Sequence, residues 1–123
     1  MKLRLLGDSI RLRLTRSEVA RIGAGQSVVE TTHFSDGGQF EFALCEGQVD
    51  RVEARFDSGR LTVMANAELL KTWAATDRVA LVEKDSTVTP QILVEKDFNC
   101  LVPRDGNDDA DTFTHPEEGH RTC

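Results

Sequence analysis

The sequence predicts an α+β domain dominated by antiparallel sheet. Three observations carry this. Short segments alternate apolar and polar residues with period two, the mark of half-buried strands. Turn residues separate those segments at close intervals, as in Gly7-Asp8, Ser35-Asp36-Gly37-Gly38 and Asp57-Ser58-Gly59. Two stretches open instead on helix-capping side chains, Thr15 and Asn66. The sum is about eight strands with two short helices, the sheet either curled into a barrel or split into a two-sheet sandwich.

Taken in order, Lys2, Leu3, Arg4 and Leu5 alternate before Gly7-Asp8, and Ile10, Leu12 and Leu14 alternate with Arg11 and Arg13 after it. Alternation on both sides of a tight turn predicts a hairpin. Thr15-Arg16-Ser17-Glu18 fits a capping box, and Leu14 with Val19 fits a hydrophobic staple. The helix this opens spans 16–22, with Val19 and Ile22 inward and Gly23 and Gly25 ending it. Strands follow at Val28–Phe34, around Phe40, Phe42 and Leu44, around Val52, Ala54 and Phe56, and at Leu61–Met64, which together predict an antiparallel meander. Asn66 caps a second helix over 67–76 whose apolar face is Leu69, Leu70, Trp73 and Ala74. Val79–Glu83 and Gln91–Lys96 are the last two strands, joined by a loop containing Pro90.

Two segments echo earlier ones. Arg11-Leu12-Arg13-Leu14 before a capped helix resembles Arg60-Leu61-Thr62-Val63 before another, 49 residues on, which points to a duplicated hairpin-plus-helix unit. Ala80-Leu81-Val82-Glu83-Lys84-Asp85 resembles Ile92-Leu93-Val94-Glu95-Lys96-Asp97.

At 123 residues the chain is the size of one domain. Its net charge of -6 is uneven. Residues 1–103, the expected globular domain, carry 13 basic and 15 acidic side chains; residues 104–123, an expected acidic polar tail, carry 2 and 6. A tail of that sign repels phosphate backbones and anionic lipid, which argues against nucleic acid and membrane as partners. Cys45, Cys100 and Cys123 cannot all pair internally, the start of the chain lacks the apolar core of a signal peptide, and no apolar run reaches membrane-span length. The expectation is a cytoplasmic protein with reduced thiols.

Lys2-Leu3-Arg4 with Asp8-Ser9-Ile10-Arg11-Leu12-Arg13-Leu14-Thr15-Arg16-Ser17-Glu18-Val19, the segment Leu93-Val94-Glu95-Lys96-Asp97-Phe98-Asn99-Cys100-Leu101, and Phe113-Thr114-His115-Pro116 together resemble a family of short uncharacterised bacterial proteins classed as a domain of unknown function. The resemblance spans most of the chain. It implies a small stand-alone cytoplasmic domain and supplies no activity, ligand or catalytic residue.

Five constellations offer chemistry. Asp105, Asn107, Asp109 and Asp111, with Glu117 and Glu118 beyond, start like a calcium loop, but Ala110 stands where the sharp turn needs glycine and Pro116 at the twelfth position. Cys100, His115, His120 and Cys123 are zinc-type ligands without a recognised ligand spacing. Cys100 is also a candidate nucleophile, with His33 or His115 as base and Asp97 to orient it, or else a small apolar packer. Lys2, Arg4, Arg11, Arg13, Arg51, Arg55 and Arg60 fall on outer faces of strands, where they form either an anion cradle or ion pairs with Glu30, Glu41 and Glu53. Glu95 and Asp97 share a strand face, near Arg104, and Arg51 or Arg55 opposite would neutralise them. The leading expectation is a small non-enzymatic binding or interaction module for a protein or small-molecule partner, without a cofactor. A zinc- or calcium-binding domain using the C-terminal cluster comes second, and a cysteine-dependent enzyme third.

Overall fold

The structure, a computed structural model, describes residues 1–81 and 89–97. β1 (Lys2–Leu6) and β2 (Ser9–Leu14) form the first hairpin, turning at Gly7 with φ 53°, a left-handed conformation that suits glycine. α1 (Arg16–Gly23) starts from the full capping box: the Thr15 hydroxyl accepts from the Glu18 amide, and Glu18 Oε1 accepts from the Thr15 amide at 2.8 Å. Leu14 and Val19, on either side of the cap, are both buried. β3 (Val28–His33) and β4 (Gln39–Glu46) form a second hairpin, and β5 (Glu53–Asp57) and β6 (Arg60–Ala65) a third. α2 (Ala67–Ala75) is capped by Asn66, whose Oδ1 accepts from the Leu69 amide at 2.8 Å. β7 (Gln91–Lys96) closes the described chain.

The strands make two sheets, ordered β1-β2-β7 and β3-β4-β6-β5, and neither closes into a barrel. Here the sequence expectation needs correcting. The stretch from Val28 to Met64 is not a meander: β6 inserts between β4 and β5 and runs parallel to β4. β7 likewise runs parallel to β2. Both sheets are therefore mixed. Alternation reports which face a residue takes and not which strand lies beside it, so the parallel neighbours left no local trace. Seven strands occur among the described residues where eight were expected. Of the expected strand 79–83, Ala80 forms an isolated bridge with Glu95, and its last residues lie outside the described ones. The tail 104–123 lies outside them as well.

The duplication is visible in the strand pairing. β1 and β5 start at residues 2 and 53, β2 and β6 at 9 and 60, and the caps are Thr15 and Asn66, a constant shift of 51. Gly7 and Ser58, equivalent by this shift, share φ values of 53° and 52°. β2 pairs with β7 as β6 pairs with β4. The shift of 49 read from the strands alone is short by two. A slip of two residues keeps every side chain on its face, so alternation cannot detect it, whereas a helix cap can.

One core joins both sheets and both helices. Ile10, Leu12 and Leu14 of β2 meet Ile92 and Val94 of β7; Val28, Leu44, Leu61 and Val63 come from the other sheet; Val19, Ile22, Leu70 and Trp73 come from the helices. Trp73 is fully buried, and its indole N–H donates to the Val79 carbonyl at 3.0 Å. The helices meet at equivalent positions, Gly23 and Ala74. A Cβ on Gly23 would lie 2.9 Å from that of Ala74, closer than two methyl groups tolerate. Among the described residues no helix is long and apolar enough to cross a membrane.

The buried charge in this frame is Glu18, which takes the Met1 ammonium as well as the Thr15 amide and hydroxyl. Burial pushes its carboxyl upward, but the ammonium and the Thr15 donors outweigh it and hold Glu18 below the ordinary carboxylate value. A lowered folded-state value means stability that is present above the unfolded-state value and lost as pH falls through the folded one. Glu18→Gln is expected to cost about 1.5–3 kcal/mol at neutral pH. It should also flatten the loss of urea stability on acidification, and an unchanged acid limb would refute this role. Gly23→Leu is expected to cost about 1–3 kcal/mol by overpacking the helix contact, read as a lowered melting temperature.

Candidate anion-binding face

The β1–β2 hairpin and β7 turn one side to the core, and the other collects charge. Lys2 stands directly opposite Arg13, and Arg4 directly opposite Arg11. Alternation puts all four on the side away from the buried Ile10, Leu12 and Leu14. β7 lies along β2 with Glu95 opposite Arg13 and Leu93 opposite Arg11. Asp97 follows β7, and its amide donates to the Leu14 carbonyl at 2.8 Å.

One carboxylate oxygen organises the arginines. Glu95 Oε1 accepts from Arg11 Nε at 2.7 Å and from Arg13 Nε at 2.8 Å, and it lies 2.6 Å from Arg11 Nη2. Glu95 is only 14% exposed, so these pairs are better shielded than surface salt bridges. Lys2 Nζ lies 3.3 Å from Asp97 Oδ2, with its own side chain largely in solvent. No ion pair joins Arg4 to any described residue. Lys2, Leu3, Arg4, Arg11 and Arg13 line an open concavity of about 240 Å³. Four cations against Glu95 and Asp97 leave an excess of two positive charges, on a chain whose net charge is -6.

The shift of 51 supplies an internal comparison. On the other sheet, Lys2, Arg4, Arg11 and Arg13 become Glu53, Arg55, Thr62 and Met64. Glu95, matched through the two parallel pairings, becomes Cys45. Arg60 and Glu41 also lie on that face, paired at 3.0 Å. With Asp57 opposite Arg60, the twin face carries three carboxylates against two arginines, with no cross-strand pair of like charges among the described residues. Cys45 is half-buried there. Burial raises its thiol, Arg60 draws it down and Glu46 pushes it up, leaving it above the ordinary thiol value and poorly suited to act as a thiolate.

Of the seven basic residues singled out in the sequence, four gather on one face. Arg55 and Arg60 belong to the other sheet, and Arg51 to the connection before β5. The partners expected for Glu95 and Asp97 were wrong: β2 and β1 neutralise them, not Arg51 or Arg55, because β7 docks on the first hairpin. Glu30 meets the Met1 ammonium at 3.1 Å. His33 is exposed at the end of β3. Cys100, His115, His120 and Cys123, Arg104, and the acidic set Asp105, Asn107, Asp109, Asp111, Glu117 and Glu118 lie outside the described residues. Among the described residues no three His, Cys, Asp or Glu side chains come together as a metal site. Exposed apolar side chains occur at Leu5, Leu6, Phe34 and Phe56, the last 6.4 Å from the Phe40 ring, but nothing beside them specifies a partner.

Fold and site thus define a small α+β domain of two mixed sheets, with one face cationic and its twin not. The chain belongs to DUF7009, a family of unknown function, whose model matches residues 1–117. No curated protein matches it.

If Glu95 holds the arginine pair, Glu95→Ala should leave Arg11 and Arg13 facing each other without a counter-charge. The expected cost is about 1–3 kcal/mol at low ionic strength, shrinking as salt screens the repulsion. Chemical denaturation at two salt concentrations measures both; a loss independent of salt would mark a packing role instead.

Proposed function

We propose that this domain is a small non-enzymatic binding module of the cytoplasm that holds an anionic small-molecule ligand on the outer face of the β1-β2-β7 sheet. One observation carries the reading: like charges stand in direct cross-strand register, Lys2 with Arg13 and Arg4 with Arg11, around an open concavity. Such pairs destabilise a sheet. The twin sheet folds with Glu53, Thr62 and Met64 at three of the four equivalent positions, so the architecture does not require the cations. Glu95 offsets part of the repulsion, and an external anion would offset the rest. Guanidinium groups suit this work because their fixed N–H forks match oxyanions. The acidic balance of the whole chain supports a small ligand in preference to a nucleic acid, whose many phosphates would meet repulsion beyond this face.

The test is an amide chemical-shift titration of the full chain with sodium sulfate against sodium chloride at matched ionic strength. Sulfate is expected to produce saturable shifts at residues 2–4, 9–13 and 93–97. Arg4→Ser, at an exposed residue with no ion pair to any described residue, should keep the fold and lose at least about three-quarters of the affinity, on the order of 1 kcal/mol for one charge-assisted contact. Shifts that are absent, or that scatter over both sheets, would end the proposal.

A further inference from the structure

We infer that the ligand of this face is a tetrahedral dianion of the phosphate-monoester class, bound between Arg4, Arg11, Arg13 and Lys2 with Glu95 still in place. The inference rests on the anion-binding reading above and adds charge and shape to it.

Charge comes first. The charged groups of this face are Lys2 and Arg4 from β1 and Arg11 and Arg13 from β2, which line the concavity, with Glu95 from β7 and Asp97 just after it paired to them. Their sum is two positive charges. A monocarboxylate would leave the face half neutralised, whereas a dianion balances it. Glu95 need not leave. Its Oε1 occupies Arg11 through Nε and Nη2 but touches Arg13 through Nε, so the outer N–H groups of Arg13 and the whole guanidinium of Arg4 remain to donate. Glu95 then acts as a positioning residue that holds two guanidiniums side by side.

Shape points the same way. Residues opposite each other on antiparallel strands lie about 4.5–5.5 Å apart, and alternate residues on one strand about 6.5–7 Å. The four cations therefore root at the corners of a small rectangle and line one concavity together. A planar carboxylate presents two oxygens in one plane and is best met by one fork. A phosphate monoester presents three terminal oxygens pointing in different directions, which suits donors rooted at four separate corners. Its second ionisation falls near pH 6, so its charge can be halved without changing its shape.

The experiment uses the full chain with three probes: phenyl phosphate, benzoate and inorganic sulfate, titrated by calorimetry at about pH 7.5 and about pH 5. Phenyl phosphate is expected to bind at least about tenfold more tightly than benzoate at the higher pH. It should weaken by roughly tenfold at the lower pH as it becomes a monoanion. Sulfate remains a dianion across this range, so it controls for changes in the protein, and its affinity should change little. Glu95→Gln should weaken phenyl phosphate, because the guanidiniums lose their alignment. Benzoate binding as tightly as phenyl phosphate, or phenyl phosphate binding equally at both pH values, would overturn the dianion inference while leaving an anion site standing. Tighter phenyl phosphate binding by Glu95→Gln would overturn the positioning role and mark Glu95 as a competitor. If none of the three probes binds saturably, the anion-binding reading itself falls.

Discussion

A two-stranded hairpin is marginal in water, and this chain is built from hairpins that cannot finish their own sheets. β1–β2 is extended by β7, which lies near the other end of the described chain, and β5–β6 is extended by β4 from the first half. Each half thus supplies the strand that completes the other's sheet. The two helices close the arrangement by meeting at Gly23 and Ala74, equivalent positions whose small size allows the approach. The core follows from this exchange. Val94 flanks Leu12 on the neighbouring strand and Leu44 flanks Val63, and all four are buried in the shared core. Removing either half would leave the remaining one with an open edge and an uncovered apolar face.

The cationic face depends on the same exchange. Without β7, Arg11 and Arg13 would face Lys2 and Arg4 with no nearby carboxylate. The parallel register of β7 brings Glu95 opposite Arg13 and within reach of Arg11. The carboxylate thereby makes a dense cluster of positive charge compatible with a folded sheet. The twin face meets no such difficulty, since Glu41, Glu53 and Asp57 are interspersed with Arg55 and Arg60. Two faces with one backbone plan and different charge show which features belong to the fold and which were added to it.

Much of the fold was legible in the sequence because its signals are local. The Thr15–Glu18 capping box, the Asn66 cap and the turns at Gly7 and Gly59 each express themselves within four residues, and each stands where expected. Alternation placed Ile10, Leu12 and Leu14 inward and Arg11 and Arg13 outward. What escaped was adjacency. Parallel neighbours are joined through long connections whose composition does not name the partner strand. That is why Glu95 was assigned to Arg51 or Arg55, and why seven basic residues could not be sorted into the four that share a face and the three that do not. The repeat was legible in kind but not in register, because two strands can slide by two residues without changing their pattern.

The distant origin of β7 also has a consequence for a chain being made on a ribosome. The first hairpin is synthesised early, yet its covering strand begins at Gln91. At about 5–20 residues per second, roughly 4–16 s separate the two. During that interval the apolar row Ile10, Leu12 and Leu14 has no parallel neighbour, and its free edge is open to other nascent chains. Arg11 and Arg13 lie on that same strand and, with Lys2 and Arg4 beside them, give it a strong positive charge before Glu95 exists to offset it. Like-charged hairpins repel one another, so the four cations that crowd this face in the finished protein also discourage hairpin from pairing with hairpin while it is unfinished.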